Sequence, residues 1–281
     1  MIELNSFKKI YSDFETDITL SVKEGGVTGI VGRNGAGKST TIKAILGLIE
    51  TDGGDVKIFG KSPKKLTAKD KMKIGVTMPD SFFTTELNIK DIADIMAAGY
   101  EGFDKAKFLE KCKKNNLPFD KKVAQFSTGM TAKLKMLMAL SHNADLLILD
   151  EPTSGLDVVA RGEMLDEIRD YLAQKPDRAV LISSHISSDL EDFCDDIYMI
   201  HNGKVIIHED TDKLKGEYGV LKLSDEMYDK IDKQYILKKK KENFGWSCFT
   251  NERKYYAENY PDIIIEKGSI DDMIILMSEA K

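Results

Sequence analysis

A chain of 281 residues, 42% apolar and 31% charged, is long enough to bury a full core without disulfide staples. Its 47 acids against 41 bases leave a net charge of -6, which argues against a general nucleic-acid-binding surface. The three cysteines, Cys112, Cys194 and Cys248, are too few and too far apart for a disulfide framework or a zinc site, so reduced thiols in a cytosolic protein are expected.

The start of the chain, Met1 to Phe14, lacks the apolar stretch of a secretory signal, and no segment approaches the ~20 apolar residues of a membrane-spanning helix. Residues 2 to 26 alternate apolar and polar side chains and end at Gly25-Gly26, which predicts two antiparallel strands. Val27 to Val31 is short and β-branched, as in a buried strand. Ser39 to Leu48 has helical spacing, with Ile42, Ile45, Leu46 and Ile49 on one side. GGDVKIFG and KMKIGVTM add two short strands. From about Leu87 to His142 the pattern is mostly helical, with three segments closed by Gly or Asn. In the third, Leu134, Leu137, Met138 and Leu140 are expected inward, and its methionines are core filler rather than metal ligands.

Strands return at DLLILD, AVLIS and DIYMIHNG, separated by helical segments. That alternation implies a parallel sheet with right-handed crossovers. KVIIHED then folds back as a hairpin across Asn202-Gly203. After about residue 213 the pattern changes to a small α/β unit over 214–281. Its basic run, Lys238 to Lys241, reads as a solvated helix end or turn, with a docking patch as the lesser alternative.

Gly32-Arg33-Asn34-Gly35-Ala36-Gly37-Lys38-Ser39 fits G-x-x-x-x-G-K-[ST] between a predicted strand and a predicted helix, the setting that pattern requires. The glycines let successive amide N–H groups curl around one anion, and the helix start adds its positive end. Lys38 would reach the β- and γ-phosphates, the Ser39 hydroxyl would ligate Mg²⁺, and Thr40 would back the α-phosphate. Such a cradle alone serves kinases, GTPases and ATPases alike.

LLILDEPTSGLD narrows the choice. It is an apolar strand ending in two acids, and alternation lets them do different work. Asp150 would hold Mg²⁺ through its water shell, and Glu151 would polarise the water that attacks the γ-phosphate.

With FSTGM (Phe126 to Met130) ahead of this strand and SGLD and SSH after it, residues 1 to about 211 resemble the ATP-binding subunit of an ABC transporter. Ser127 and Gly129 match the serine and second glycine of the family signature LSGGQ, whereas Thr128 and Met130 depart from it. The resemblance implies an α/β P-loop NTPase core (1–213) with an antiparallel β subdomain and a helical insertion (about 87–142), followed by a small C-terminal α/β appendage (214–281). It implies that Ser127, Gly129 and the D-loop, Ser154 to Asp157, contact nucleotide, that His185 is the switch histidine, and that an aromatic lies under adenine, Tyr11 first and Phe14 as the alternative. Asp80 stands where the family has a magnesium-binding glutamine, so it is assigned to the metal.

In the family the signature of one subunit caps ATP in the cradle of a second. The expected partners are therefore a second ATP-binding subunit, identical or related, and a separate transmembrane permease, with no nucleic acid. ATP and Mg²⁺ are the expected cofactors. The expected place is the cytoplasm, peripheral on the inner membrane face. FSTGM, Asp80 and the EKGSIDD tail resemble a bacterial subgroup of small exporters, and Phe82-Phe83 with Glu86-Leu87 are a candidate permease-docking face. A non-transport relative acting on DNA or ribosomes would need a long coiled-coil insertion or a second cassette, and neither is present in these residues.

Overall fold

The computed structural model describes residues 1–79 and 86–278. Asp80 and Phe82-Phe83 lie outside the described residues. The chain begins with β1 (Ile2–Ile10), β2 (Glu15–Val22) and β3 (Val27–Val31), then α1 (Lys38–Ile45), β4 (Gly53–Ile58), α2 (Ala68–Lys71) and β5 (Ile74–Thr77). Three helices follow: α3 (Ile89–Gly99), α4 (Lys105–Lys114) and α5 (Thr128–Ala139). Next come β6 (Leu146–Asp150), α6 (Val158–Ala173), β7 (Ala179–Ser184), α7 (Ser187–Glu191), β8 (Asp196–His201) and β9 (Lys204–Asp210). The chain continues through α8 (Thr211–Glu217), β10 (Gly219–Leu223), α9 (Asp225–Lys230), β11 (Ile236–Glu242) and β12 (Gly245–Thr250). It then adds α10 (Arg253–Asn259), β13 (Ile264–Lys267) and α11 (Ile270–Ser278).

Nine strands form one sheet in the order β4-β1-β2-β9-β8-β3-β7-β6-β5. Its centre is parallel, and β3, β6 and β7 are buried at every position, which is why they read as unbroken apolar runs. The β1–β2 and β1–β4 pairs are antiparallel, and β8 and β9 form the expected hairpin across Asn202-Gly203, both at positive φ. One face of the sheet packs Ile30, Ile148 and Leu181 against Ile42 and Ile45 of α1. The other packs Leu149 and Ile182 against Leu165 and Ile168 of α6. Each such fully buried side chain contributes about 1.5–3 kcal/mol.

Parallel strands that share a direction bring their C-terminal ends to one edge of the sheet. Val31 pairs with Ser184 and Asp150 with Ser183, so the glycine loop, the two acids and His185 all emerge there.

Helices α3, α4 and α5 enclose their own core of Ile92, Met96, Phe108, Cys112, Leu134 and Leu137. Helix α5 starts at Thr128, inside FSTGM, because the Ser127 hydroxyl accepts from Met130 N and caps it. Leu134, Leu137 and Leu140 are buried as expected, but Met136 takes the buried place and Met138 is half-buried.

A second sheet, β11-β12-β10-β13, lies in the C-terminal part of the chain. Lys238 to Lys241 sit in its edge strand β11, not in a helix end or turn. Pairing with β12 overrides their low strand propensity, and lysines on an exposed edge oppose further strand addition. Lys239 and Lys241 also lie over the Trp246 ring. No described helix is long and apolar enough to cross a membrane.

Candidate functional site

At the edge where the parallel strands end, a cavity of about 870 Å³ opens over the loop between β3 and α1. Arg33 to Thr40 line it, together with Tyr11, Phe14, Glu151 and His185. Two glycines make the loop possible. At Gly32 (φ +153) an added Cβ would stand 2.3 Å from the Ile200 carbonyl oxygen. Gly37 (φ +116) caps α1 in a left-handed conformation. Gly37 has no side chain to cap α1, and among the described residues no side chain accepts from its first-turn N–H groups. That is an anion site by construction, lined here by the residues of the glycine motif.

Lys38 is 6% exposed, and its ammonium donates to the Gly32 carbonyl at 2.7 Å. It also lies 3.4 Å from Glu151 Oε1. The other Glu151 oxygen accepts from His185 N at 3.1 Å and lies 2.5 Å from His185 Nδ1. Both carboxylate oxygens of Glu151 are thus engaged across the cavity mouth. Glu151 has φ +50, a strained backbone for a non-glycine residue. Its N–H is held by Ser183 Oγ at 3.0 Å, and the same hydroxyl donates to Asp150 Oδ1 at 2.6 Å.

Asp150 is 2% exposed, and its Oδ2 has no hydrogen-bond partner among the described residues. It lines a smaller cavity, about 360 Å³, that shares Pro79, Glu151 and Ser154 with the first. A buried carboxylate oxygen without a partner among the described residues fits a hard cation that takes oxygen ligands. Among the described residues, no cluster of three or more His, Cys, Asp or Glu side chains could hold a metal alone.

The remaining predicted residues divide by place. Tyr11 (44% exposed) and Phe14 both face the large cavity, with ring centroids 6.3 Å apart. Ser127 and Asp157 are exposed, line neither cavity, and serve within the chain as helix caps, Asp157 accepting from Ala160 N. Gly129 sits in the first turn of α5 near Leu156.

Two residues escape the sequence reading. Ser183 organises both acids, and only the doubled serine before His185 hints at it. Lys135, on α5, donates to the carbonyls of Met78 and Pro79 at the end of β5, which ties the signature helix to the sheet edge. Its stem borders both the 360 Å³ cavity and an apolar groove of about 480 Å³ between α3, α5 and β5.

The family profile described as ABC transporter matches residues 16–154, from β2 through the acids of β6 and into the D-loop. The bacitracin transport ATP-binding protein BcrA of Bacillus licheniformis is 35% identical over 76% of this chain and 71% of its own. The Nod factor export ATP-binding protein I of Burkholderia orbicola is 33% identical over 73% and 69%. A solved ATP-binding subunit of an ABC transporter superposes with a TM-score of 0.68 at 27% identity, over 77% of this chain and 92% of that one. An amide-lined cradle with a buried lysine, two acids at one strand end, and relatives matched over most of their length place this chain among the ATPase subunits of ABC transporters.

Proposed function

We propose that two ATP-binding subunits close head to tail around two ATP molecules, each held by the Gly32–Thr40 cradle of one and capped by the Ser127 segment of the other. Hydrolysis at Glu151 then reopens the pair and drives a separate membrane permease, in the direction of export. The subunit would sit in the cytoplasm against the inner membrane face. Residues 214–281 would be an accessory unit. The name of the Nod factor export protein supports the direction.

One observation carries the reading. The Lys38–Glu151–His185 network closes over the cradle of its own chain, while Ser127 and Asp157 are exposed and point their capping groups elsewhere. Ser127 therefore remains available to a partner's nucleotide, and two-fold symmetry would complete both sites at once.

The chemistry follows from the network. The triphosphate is the stronger anion and takes Lys38 and the cradle amides, which frees Glu151 Oε1. Glu151 accepts a proton from water as the water oxygen bonds to the γ-phosphorus and the bond to the β-phosphate oxygen breaks, leaving ADP. His185, released from Glu151, donates to the γ-phosphate. A Mg²⁺ ion held by Ser39 and, through water, Asp150 would neutralise phosphate charge. Asp80 is proposed as a further ligand. Loss of the γ-phosphate removes the contacts that hold the pair closed. The permease is proposed to dock on the helical insertion, near Glu86-Leu87 and the apolar groove.

The test is Glu151→Gln, which keeps shape and removes the base. Turnover should fall roughly 10²–10⁴-fold while ATP is retained, and gel filtration with Mg-ATP should show a dimer. A variant that stays monomeric at saturating ATP would defeat the shared-site mechanism.

A further inference from the structure

Helix α7 follows His185 by one residue and spans five residues, Ser187–Glu191. A helix this short has no stability of its own, so contacts from elsewhere must set its position. On one side Arg161 of α6 lies 3.5 Å from Asp189. On the other it packs against the sheet, with Leu190 beside Gly29 of β3, and against the C-terminal unit. Leu190 is fully buried in the same core as Ile270, Met273 and Leu276 of α11. Glu191 Oε1 accepts from Ile270 N at 2.6 Å, across 79 residues of chain. Ile270 is the first residue of α11, where the N–H has no partner within the helix, and Ser269 and Asp272 cap the same turn.

His185 itself is poorly anchored. Its side chain is 45% exposed, and its partner among the described residues is Glu151, the contact that γ-phosphate would replace. Once that contact breaks, the ring's position depends on the backbone of residues 185–187, hence on α7.

We infer that the C-terminal unit is a positioning element for hydrolysis: the Glu191–Ile270 contact seats α7 and thereby aims His185 at the γ-phosphate. Glu191 touches neither nucleotide nor the reacting atoms. The inference rests on the proposed role of His185. It gives residues 214–278 a specific task, and anything that shifts α11 would alter turnover without touching the ATP cradle.

The experiment compares full-length Glu191→Ala and Glu191→Gln with the wild type. Glu191→Ala loses the acceptor, so kcat should fall roughly three- to tenfold with ATP affinity by calorimetry unchanged within about twofold. Glu191→Gln still presents an oxygen to Ile270 N and should recover at least about half of the wild-type kcat. Amide exchange of residues 186–190 should quicken in Glu191→Ala alone. An unchanged kcat, or a fall in ATP affinity that matches the fall in kcat, overturns the inference. Absence of turnover in the wild type would strike the proposed function instead, and the exchange readout would still report the α7 contact. Should Glu191→Ala fail to fold, wild-type exchange in sub-denaturing urea decides. Amides of 186–191 must lose protection together with those of 271–276, and independent opening overturns the inference.

Discussion

Ser183→Ala tests whether the two acids are held by one hydroxyl. Ser183 is fully buried, donates to Asp150 Oδ1 at 2.6 Å and accepts from Glu151 N at 3.0 Å. The second bond is replaceable, because Glu151 N also reaches the Ser183 carbonyl at 3.2 Å. The first is not. A hydrogen bond to a charged group contributes about 1.5–3 kcal/mol, and its loss leaves Asp150 buried with neither oxygen paired among the described residues. The expected cost is about 2–3 kcal/mol. At about 2 °C per kcal/mol for a chain of this size, thermal unfolding of the nucleotide-free protein should come about 4–6 °C earlier. Mg-ATP should recover part of that deficit, because a cation near Asp150 answers the unpaired oxygens. Differential scanning calorimetry with and without Mg-ATP measures both. A shift below about 1 °C would mean that Ser183 does not carry the acids.

Lys38→Ala should abolish measurable ATP binding in calorimetry, since it removes the ammonium buried at the cradle, and unchanged affinity would take Lys38 out of the site. His142 is buried, with Nδ1 at 3.2 Å from the Met138 carbonyl and Nε2 at 3.1 Å from that of Ile74; burial outweighs those bonds and lowers its pKa. A depressed histidine pKa means that the unfolded chain binds the proton first. Stability should therefore hold above about pH 6.5 and decline as pH falls toward the folded-state pKa. A His142→Gln chain should lose that slope in urea titrations between about pH 7 and pH 5. Burial pushes the Cys112 thiol up to about 12, that of Cys248 to about 11, and that of Cys194 well above its usual value. All three should resist thiol reagents in the native protein and react only at the rate of unfolding.

The parts visible in the sequence are those whose physics is local. The glycine loop announces itself because a backbone that wraps an anion needs glycines at set positions beside a strand and a helix. Asp150 and Glu151 stand out because acids at the end of an unbroken apolar strand are costly unless used. The parts that escape notice depend on register. Ser183 looks like any strand-end serine until β7 pairs with β6 and sets it opposite Asp150. Lys135 looks like a surface lysine on α5, and only the packing of that helix on β5 brings it to the Met78 and Pro79 carbonyls. Lys238 to Lys241 mislead because lysine avoids strands when alone, whereas GWSCFT supplies a partner strand that decides the matter.

The resting network also bears on why turnover should wait for a second subunit. A free Glu151 beside an open cavity would, in the proposed mechanism, hydrolyse ATP with no work done. Instead its carboxylate lies 3.4 Å from Lys38, a gross attraction of about 5 kcal/mol at an effective dielectric of about 20, and desolvation offsets much of it. In the proposed mechanism nucleotide entry gives Lys38 a stronger anion and frees Oε1, but it leaves Oε2 on His185. A further gain is required to bring His185 off Glu151 and to exclude water from the γ-phosphate. The Ser127 end of α5, capped yet exposed, has a hydroxyl and helix amides to contribute from a facing copy. Closure, not binding, licenses the base in the proposed mechanism, and Lys135 links the signature helix to the end of β5 by direct hydrogen bonds.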